Sequence, residues 1–353
     1  MRLDALALQI GARLLGDGDL EVARVRSVFD AGPGDLGFAA DPDELRAVAG
    51  AGATALLVPE SWAAEHAHEL DCAMLCAEPA SRALGRAIDA LHPAPPAPRG
   101  VDSRAVVHAG ARLGRDVAIG PGAVVGRALL GDGVIVGPRA VIADAVELGP
   151  GAHVGPGAIV LSGVRVGAGA QVGPGAVLGD EGFVFAPEDQ AERRQNVPVR
   201  HVGGVVIEEG VCIGANSCVD RGALRDTRVG AHTRVDNLVQ VGHDVIVGSD
   251  AVLVAQVGIA GWATVGEGAV LAGQSGVKER TDVGRGARVG GQAGVVHDVP
   301  AGAAVAGTPA IPHLSWLKAM ARLRHLDALE RRVRVLEARL GERDALAPRS
   351  GGG

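Results

Sequence analysis

The sequence predicts a mostly β protein: a parallel β-helix of hexapeptide repeats, preceded by a small α/β domain and followed by an α-helix. Three observations predict it. An aliphatic residue recurs at every sixth position through the middle of the chain, glycine is abundant (54 of 353 residues), and aromatic residues are scarce (Tyr 0, Phe 4, Trp 3). Ordinary chains carry about 7% Gly, so this backbone must turn tightly and often. A core without aromatics has to be packed from Val, Ile, Leu and Ala. Gly does not recur at every third position, which excludes a collagen helix, and 47% hydrophobic content excludes a disordered chain.

Residues 1–98 read as the α/β domain. LDALALQIGARLLG has helical spacing and is expected to stop at Gly16, while ATALLVPE and AMLCAEP read as short buried strands. The opening MRLDALALQI carries Asp4 and no long apolar run, so it does not read as a secretory leader. Gly and charges interrupt every apolar stretch short of the ~20 residues that span a bilayer. A cytoplasmic protein without a membrane span is expected. HPAPPAPRG (92–100) reads as a stiff boundary.

Residues 99–310 carry the repeat. Every sixth residue from Val229 to Val295 is β-branched or Leu, and Gly usually follows it; Val136 to Leu178 repeats the pattern in another phase. Such hexads are the signature of a parallel β-helix. Each supplies a short strand with its aliphatic residue inward, and a turn in which Gly is expected to supply positive φ. Three hexads make one triangular coil of about 18 residues, and coils stack about 4.8 Å apart. The phase breaks twice, over the 28 residues between Leu178 and Ile207 and again at DRGALRDTR before Val229. Loops that leave a regular scaffold are where sites are usually built.

Residues 311–345 read as one helix, with Leu326, Leu329, Val333, Leu336 and Leu340 forming a stripe that needs a partner. Residues 346–353 are expected to be a disordered tail. The net charge of −7 argues against nucleic acid as the main partner, yet His313–Arg343 holds eight Lys or Arg against four acids, which invites an acidic partner. Cys72, Cys76, Cys212 and Cys218 form no CxxC pair, and no His cluster accompanies them, so neither a disulfide framework nor a metal site is expected.

Residues 18 apart share a column of such a coil, so His243 stacks under Gly261 and, three coils on, His297. His243 points outward from its hexad. An exposed imidazole beside a backbone amide can accept a proton while the amide donates to a developing oxyanion. A plain surface histidine is the alternative for His243 and more so for His297; His201 and His232 have no comparable partner.

The stretch GANSCVDRGALRDTRVGAHTRVDNLVQVGHDVIVG (214–248), with AQVGIAG (255–261), AGTPA (306–310) and the GFVFAP loop, resembles the UDP-3-O-(3-hydroxyacyl)glucosamine N-acyltransferases of lipid A biosynthesis. The order of domains is similar too, and the resemblance covers essentially the whole chain. It implies a left-handed β-helix and a homotrimer with sites in the grooves between chains. It also implies a 3-hydroxyacyl donor on the 4'-phosphopantetheine of acyl carrier protein, a UDP-sugar acceptor, and no bound cofactor. His243 matches the family's general base and Gly261 its oxyanion-binding amide. Asp236 and Asn237 match a DN pair that orients the base or lines the groove, or else serves the turns. Arg322, Arg324, Arg331 and Arg334 are candidate contacts to the carrier.

The departures are specific. Asp244 stands where the family has Asn and adds a negative charge beside the imidazole, and Arg280 replaces a second histidine. The uridine pocket keeps Phe38 but has Asp41 and Glu44 in place of Asn and Tyr, and Leu161-Ser162 replaces a Tyr-His pair. A carboxylate at 41 accepts hydrogen bonds and cannot donate them to uracil oxygens. A paralogue acting on another UDP-amino sugar, or a trimeric scaffold without catalysis, are the alternative readings.

Overall fold

The computed structural model describes residues 1–48, 52–66, 72–93, 99–190, 193–307 and 313–346. The chain divides into two compact units, Met1–Ala97 and Pro98–Gly353.

The first unit runs α1 (Leu3–Ile10), β1 (Arg13–Leu15), β2 (Arg24–Ser27), β3 (Asp35–Phe38), α2 (Pro42–Ala47), β4 (Ala55–Pro59), α3 (Glu60–His66), β5 (Ala73–Ala77) and α4 (Ala80–Leu91). Its sheet has the order β1-β5-β4-β3-β2, parallel except for β1. The expected helix stop at Gly16 is wrong. α1 ends at Gly11, whose left-handed φ of 73° lets its N–H return to Ala7 O, and Arg13–Leu15 turns out as an edge strand on β5. Both expected buried strands are present as β4 and β5.

The second unit is a parallel β-helix. Its strands stack into three sheets of 10, 9 and 11 strands, one per face. The pairing Val241↔Ile259 and Val235↔Leu253 is an 18-residue register. Every residue of the series from Val229 to Val295 is buried, as is the series from Val136 to Leu178, and the two form one continuous core. Each fully buried Val, Leu or Ile contributes about 1.5–3 kcal/mol, so a regular aliphatic stack needs no aromatic filler. The stack shortens at its end, where Val299 bridges back to Val283.

The role expected for Gly needs revision. Among the described residues thirteen that are not glycine hold positive φ at turn positions, including Asp244, Trp262 and Arg280. The Gly after each aliphatic residue is there for a different reason: the next coil passes too close for a side chain. A Cβ on Gly248 would lie 2.5 Å from Glu267 N, and one on Gly242 would lie 2.9 Å from Gly261 N. Gly248→Ala therefore forces two backbones apart and is expected to cost about 1–3 kcal/mol, read as a lower urea midpoint.

The two breaks in phase become loops. The register steps from 18 to 41 residues at Val172↔Ile213 and to 22 at Ile213↔Val235, then returns to 18. The longer loop carries an antiparallel hairpin, Phe185–Gln190 with Arg193–Pro198. The single C-terminal helix expected over 311–345 is instead two, α5 (His313–Leu323) and α6 (Leu326–Leu346), broken at Arg324-His325 where no Gly or Pro dictates it. Leu326, Leu329, Val333 and Leu336 are exposed in the single chain. Residues 308–312 and 347–353, which include most of the expected tail, lie outside the described residues. Among the described residues no helix is long and apolar enough to cross a membrane.

Candidate active site

The site lies where the two inserted loops meet the edge of the stack at His243. Trp262 N donates to His243 O at 3.0 Å, which seats the coil carrying Gly261 directly on the imidazole. A Cβ at position 261 would fall on His243 Nε2, so only glycine leaves the ring its place. Among the described residues no hydrogen bond engages the Gly261 N–H. Gly261→Ala should displace the imidazole and lower kcat/KM about a hundredfold or more. Its clash is with a side chain rather than backbone, so the urea midpoint should fall less than in Gly248→Ala.

Asp244 fixes the other side of the ring. His243 Nδ1 donates to Asp244 Oδ2 at 2.8 Å, which in the neutral imidazole leaves the lone pair on Nε2, facing Gly261. Asp244 is fully buried and would be costly alone. It is compensated by the N–H groups of Ala223 (2.7 Å), Leu224 (3.1 Å) and Arg225 (2.9 Å), all from the shorter loop. Arg225 Nε and Nη2 return to Asp244 O at 3.2 and 2.8 Å. Burial pushes the Asp244 carboxyl up, but the donors of Arg225, His243, Ala223 and Leu224 outweigh it and hold the group below its ordinary value. One side chain thus ties the DRGAL loop to the tautomer of His243.

His243 is less exposed than its outward direction suggests, its side chain being only 13% accessible. The longer loop covers it. A Cβ on Gly182 would lie 3.0 Å from His243 Cδ2, and His201 meets the imidazole edge-on with ring centroids 5.4 Å apart. His201 has no stacked amide of the kind Gly261 gives His243, but the loop excursion returns its ring to the base. His201 Nδ1 donates to Val199 O at 2.8 Å. Asp220 completes this side, one coil below Gly242 through its N–H to Val241 O. Burial pushes the Asp220 carboxyl up, aided by Asp180 and opposed by Gln240, His243 and His201.

The remaining candidates divide by location. Arg280 reaches the site through Trp262, whose ring lies 5.4 Å from the Arg280 guanidinium carbon and 6.2 Å from the His243 ring. Asp236 and Asn237 sit at the neighbouring edge of the coil and serve its turns, Asp236 accepting from Ala255 N and Asn237 from Ala215 N. The orienting contact to the base belongs to Asp244 instead. In the first unit, Asp41 caps α2 by accepting from Asp43 N and Glu44 N at 2.9 Å, and Glu44 accepts in return from Ala40 N and Asp41 N. Both carboxylates close a capping box, which accounts for their presence without a nucleotide. Phe38 is half-buried at the end of β3. Arg322, Arg324, Arg331 and Arg334 are exposed on or beside α5 and α6, Arg334 pairing with Glu330. Burial pushes the Cys76 and Cys218 thiols up, as for inert structural thiols. Among the described residues no group of three or more His, Cys, Asp or Glu converges as a metal site would need.

Trp262 was not singled out from the sequence. It stands 18 residues after Asp244 and 18 before Arg280, so extending the column arithmetic by one position would have aligned all three. No periodicity reaches His201, which lies inside the interruption.

A hexapeptide β-helix bearing an oriented imidazole over a backbone amide defines a transferase of the hexapeptide class. Accordingly, the family model for bacterial transferase hexapeptide (six repeats) matches residues 127–162 and 145–180. The chain is 47% identical to the UDP-3-O-acylglucosamine N-acyltransferase of Syntrophotalea carbinolica over 98% of each chain. It is 40% identical to that of Syntrophus aciditrophicus over 95% of this chain and 93% of the relative, and 35% identical to that of Pseudomonas fluorescens over 97% and 96%. The chain belongs to the UDP-3-O-acylglucosamine N-acyltransferase family.

Proposed function

We propose that the chain transfers a 3-hydroxyacyl group from acyl carrier protein to the 2-amine of UDP-3-O-acylglucosamine, a step of lipid A biosynthesis. The observation that carries this reading is the His243 imidazole, its Nδ1 donating to Asp244 and its Nε2 facing Gly261. His243 Nε2 takes a proton from the amine, and the freed lone pair attacks the thioester carbonyl. The Gly261 N–H donates to the oxygen of the tetrahedral intermediate, the C–S bond breaks, and the carrier thiol leaves with the proton. Asp244 keeps the imidazole in the required tautomer and steadies the charge it acquires. The only prosthetic group needed is the 4'-phosphopantetheine that arrives on the carrier.

Two surface features support the partners. The exposed Leu326, Leu329, Val333 and Leu336 stripe suits a second and third copy of the chain, giving a homotrimer. The basic residues beside it, Arg322, Arg324, Arg331 and Arg334, suit an acidic carrier. Phe38, half-buried at the end of β3, offers an aromatic ring that could stack on uracil.

A paralogue acting on another UDP-amino sugar is the second reading, favoured by the Asp41–Glu44 capping box in the segment expected to hold the nucleotide. Mass spectrometry of the product from mixed acyl carriers and UDP-amino sugars tests both. An N-acylated UDP-3-O-acylglucosamine supports the first reading, and turnover of a different amino sugar alone overturns it.

A further inference from the structure

We propose that His201 is a positioning residue that acts through His243: its bare Nε2 stabilises the imidazolium that forms when the base takes its proton. The role rests on the acyl-transfer reading above, which makes His243 the base.

His201 is 3% exposed, and the bond from Nδ1–H to Val199 O at 2.8 Å leaves its lone pair on Nε2. That nitrogen is buried and, among the described residues, has no hydrogen-bond partner. Buried acceptors are nearly always paired, so an unpaired one calls for a reason. Its surroundings suggest one. A Cβ on Gly182 would lie 3.1 Å from His201 Nε2 and 3.0 Å from His243 Cδ2. The missing side chain leaves the lone pair and the Cδ2 edge of the base on either side of one small gap. The two rings meet at 89° with centroids 5.4 Å apart, inside the range of direct aromatic contact.

The base has need of such a neighbour. Its side chain is only 13% accessible, so a charge formed there loses most of its water. Asp244 compensates it at Nδ1. The other charged groups around the two rings are Asp220 in the coil below, influenced in turn by Asp180, and Glu181 at the His201 N–H (3.5 Å). Arg225 lies on Asp244 O, and Arg280 stands behind Trp262. The two arginines oppose a positive charge on His243, while the carboxylates and the His201 lone pair favour it. A neutral imidazole carries its negative end at the bare nitrogen, and an imidazolium carries positive charge out to its C–H edge. Attraction between the two therefore strengthens as His243 is charged.

Titration of the His243 ring by NMR in the full-length wild type, His201→Leu and His201→Gln, with no substrate present, tests this beside the pH profile of kcat/KM. Leu is apolar and of similar size, and Gln returns an acceptor oxygen. Without the acceptor the imidazolium sheds its proton more readily, so the midpoint in His201→Leu should fall by about half a pH unit, roughly a threefold change in proton affinity. The acid limb of kcat/KM should follow it down, and kcat on the plateau should drop about two- to threefold. His201→Gln should recover most of the shift, and the fall should persist in an Asp220→Asn background. An unchanged midpoint overturns the proposal. So does a rise, which would make His201 a repelling cation, or an equal fall in both variants, which would reduce its role to packing. A fall that vanishes with Asp220→Asn overturns it too and gives the effect to that carboxyl. Because the ring is titrated without turnover, a wild type that transfers no acyl group while His201→Leu shows the fall sinks the reaction and leaves the pairing of the two histidines standing.

Discussion

His243→Ala is expected to lower kcat about a thousandfold, the usual loss when a positioned general base is removed, while the β-helix stays folded. The ring lies outside the aliphatic stack, and the backbone bond from Trp262 N to His243 O does not depend on the side chain. Circular dichroism and the urea midpoint should therefore stay close to wild type while product formation is lost. Residual transfer reports what orientation and the Gly261 amide supply without the base. Thioester consumption at an unchanged rate would remove His243 from the chemistry and revive a scaffold reading.

Asp244→Asn is expected to damage both activity and stability. Kinetically the loss is expected to be modest, about tenfold or less, because the Asn that the family carries here keeps one oxygen able to accept from Nδ1–H and loses only the charge that steadies the imidazolium. Structurally, a buried carboxylate that accepts from Ala223, Leu224 and Arg225 is replaced by a group with one acceptor oxygen and an amino group facing N–H donors. A cost of about 2–4 kcal/mol follows. The pH dependence has a definite sign. The Asp244 carboxyl is held below its ordinary value of 3.8, so its stabilisation is complete above that pH and fades as the pH falls through the depressed value. The difference in urea midpoint between wild type and Asp244→Asn should thus be constant near neutrality and shrink at pH below 3.8. A difference that grows on acidification would contradict this account of the carboxylate.

The parts of the molecule that repeat were the parts the sequence made readable. A hexad fixes which residues point inward, and both aliphatic series, from Val136 and from Val229, form the core. The 18-residue column likewise brings His243 to Gly261. What escaped were features set by spacing between coils or by loops. The glycine after each aliphatic residue is demanded by the backbone of the next coil, a three-dimensional constraint that looks like a turn preference in one dimension. His201 returns to the base through a loop with no period, and its place could not be computed from sequence separation. Asp244 was seen as a charge beside the base, but its second task of gathering the DRGAL loop depends on a four-residue insertion whose path no pattern predicts. The helix end at Gly11 rather than Gly16 reflects the pull of β5, which recruits Arg13–Leu15 into the sheet.

The most direct measurement is the nitrogen-15 NMR spectrum of the His243 ring, at a pH where the imidazole is neutral. A protonated Nδ1 and a bare, pyridine-type Nε2 are predicted, with the preference lost in Asp244→Ala, which removes the acceptor. A proton on Nε2 of the wild-type ring would leave no lone pair facing Gly261 and would contradict the mechanism at its first step.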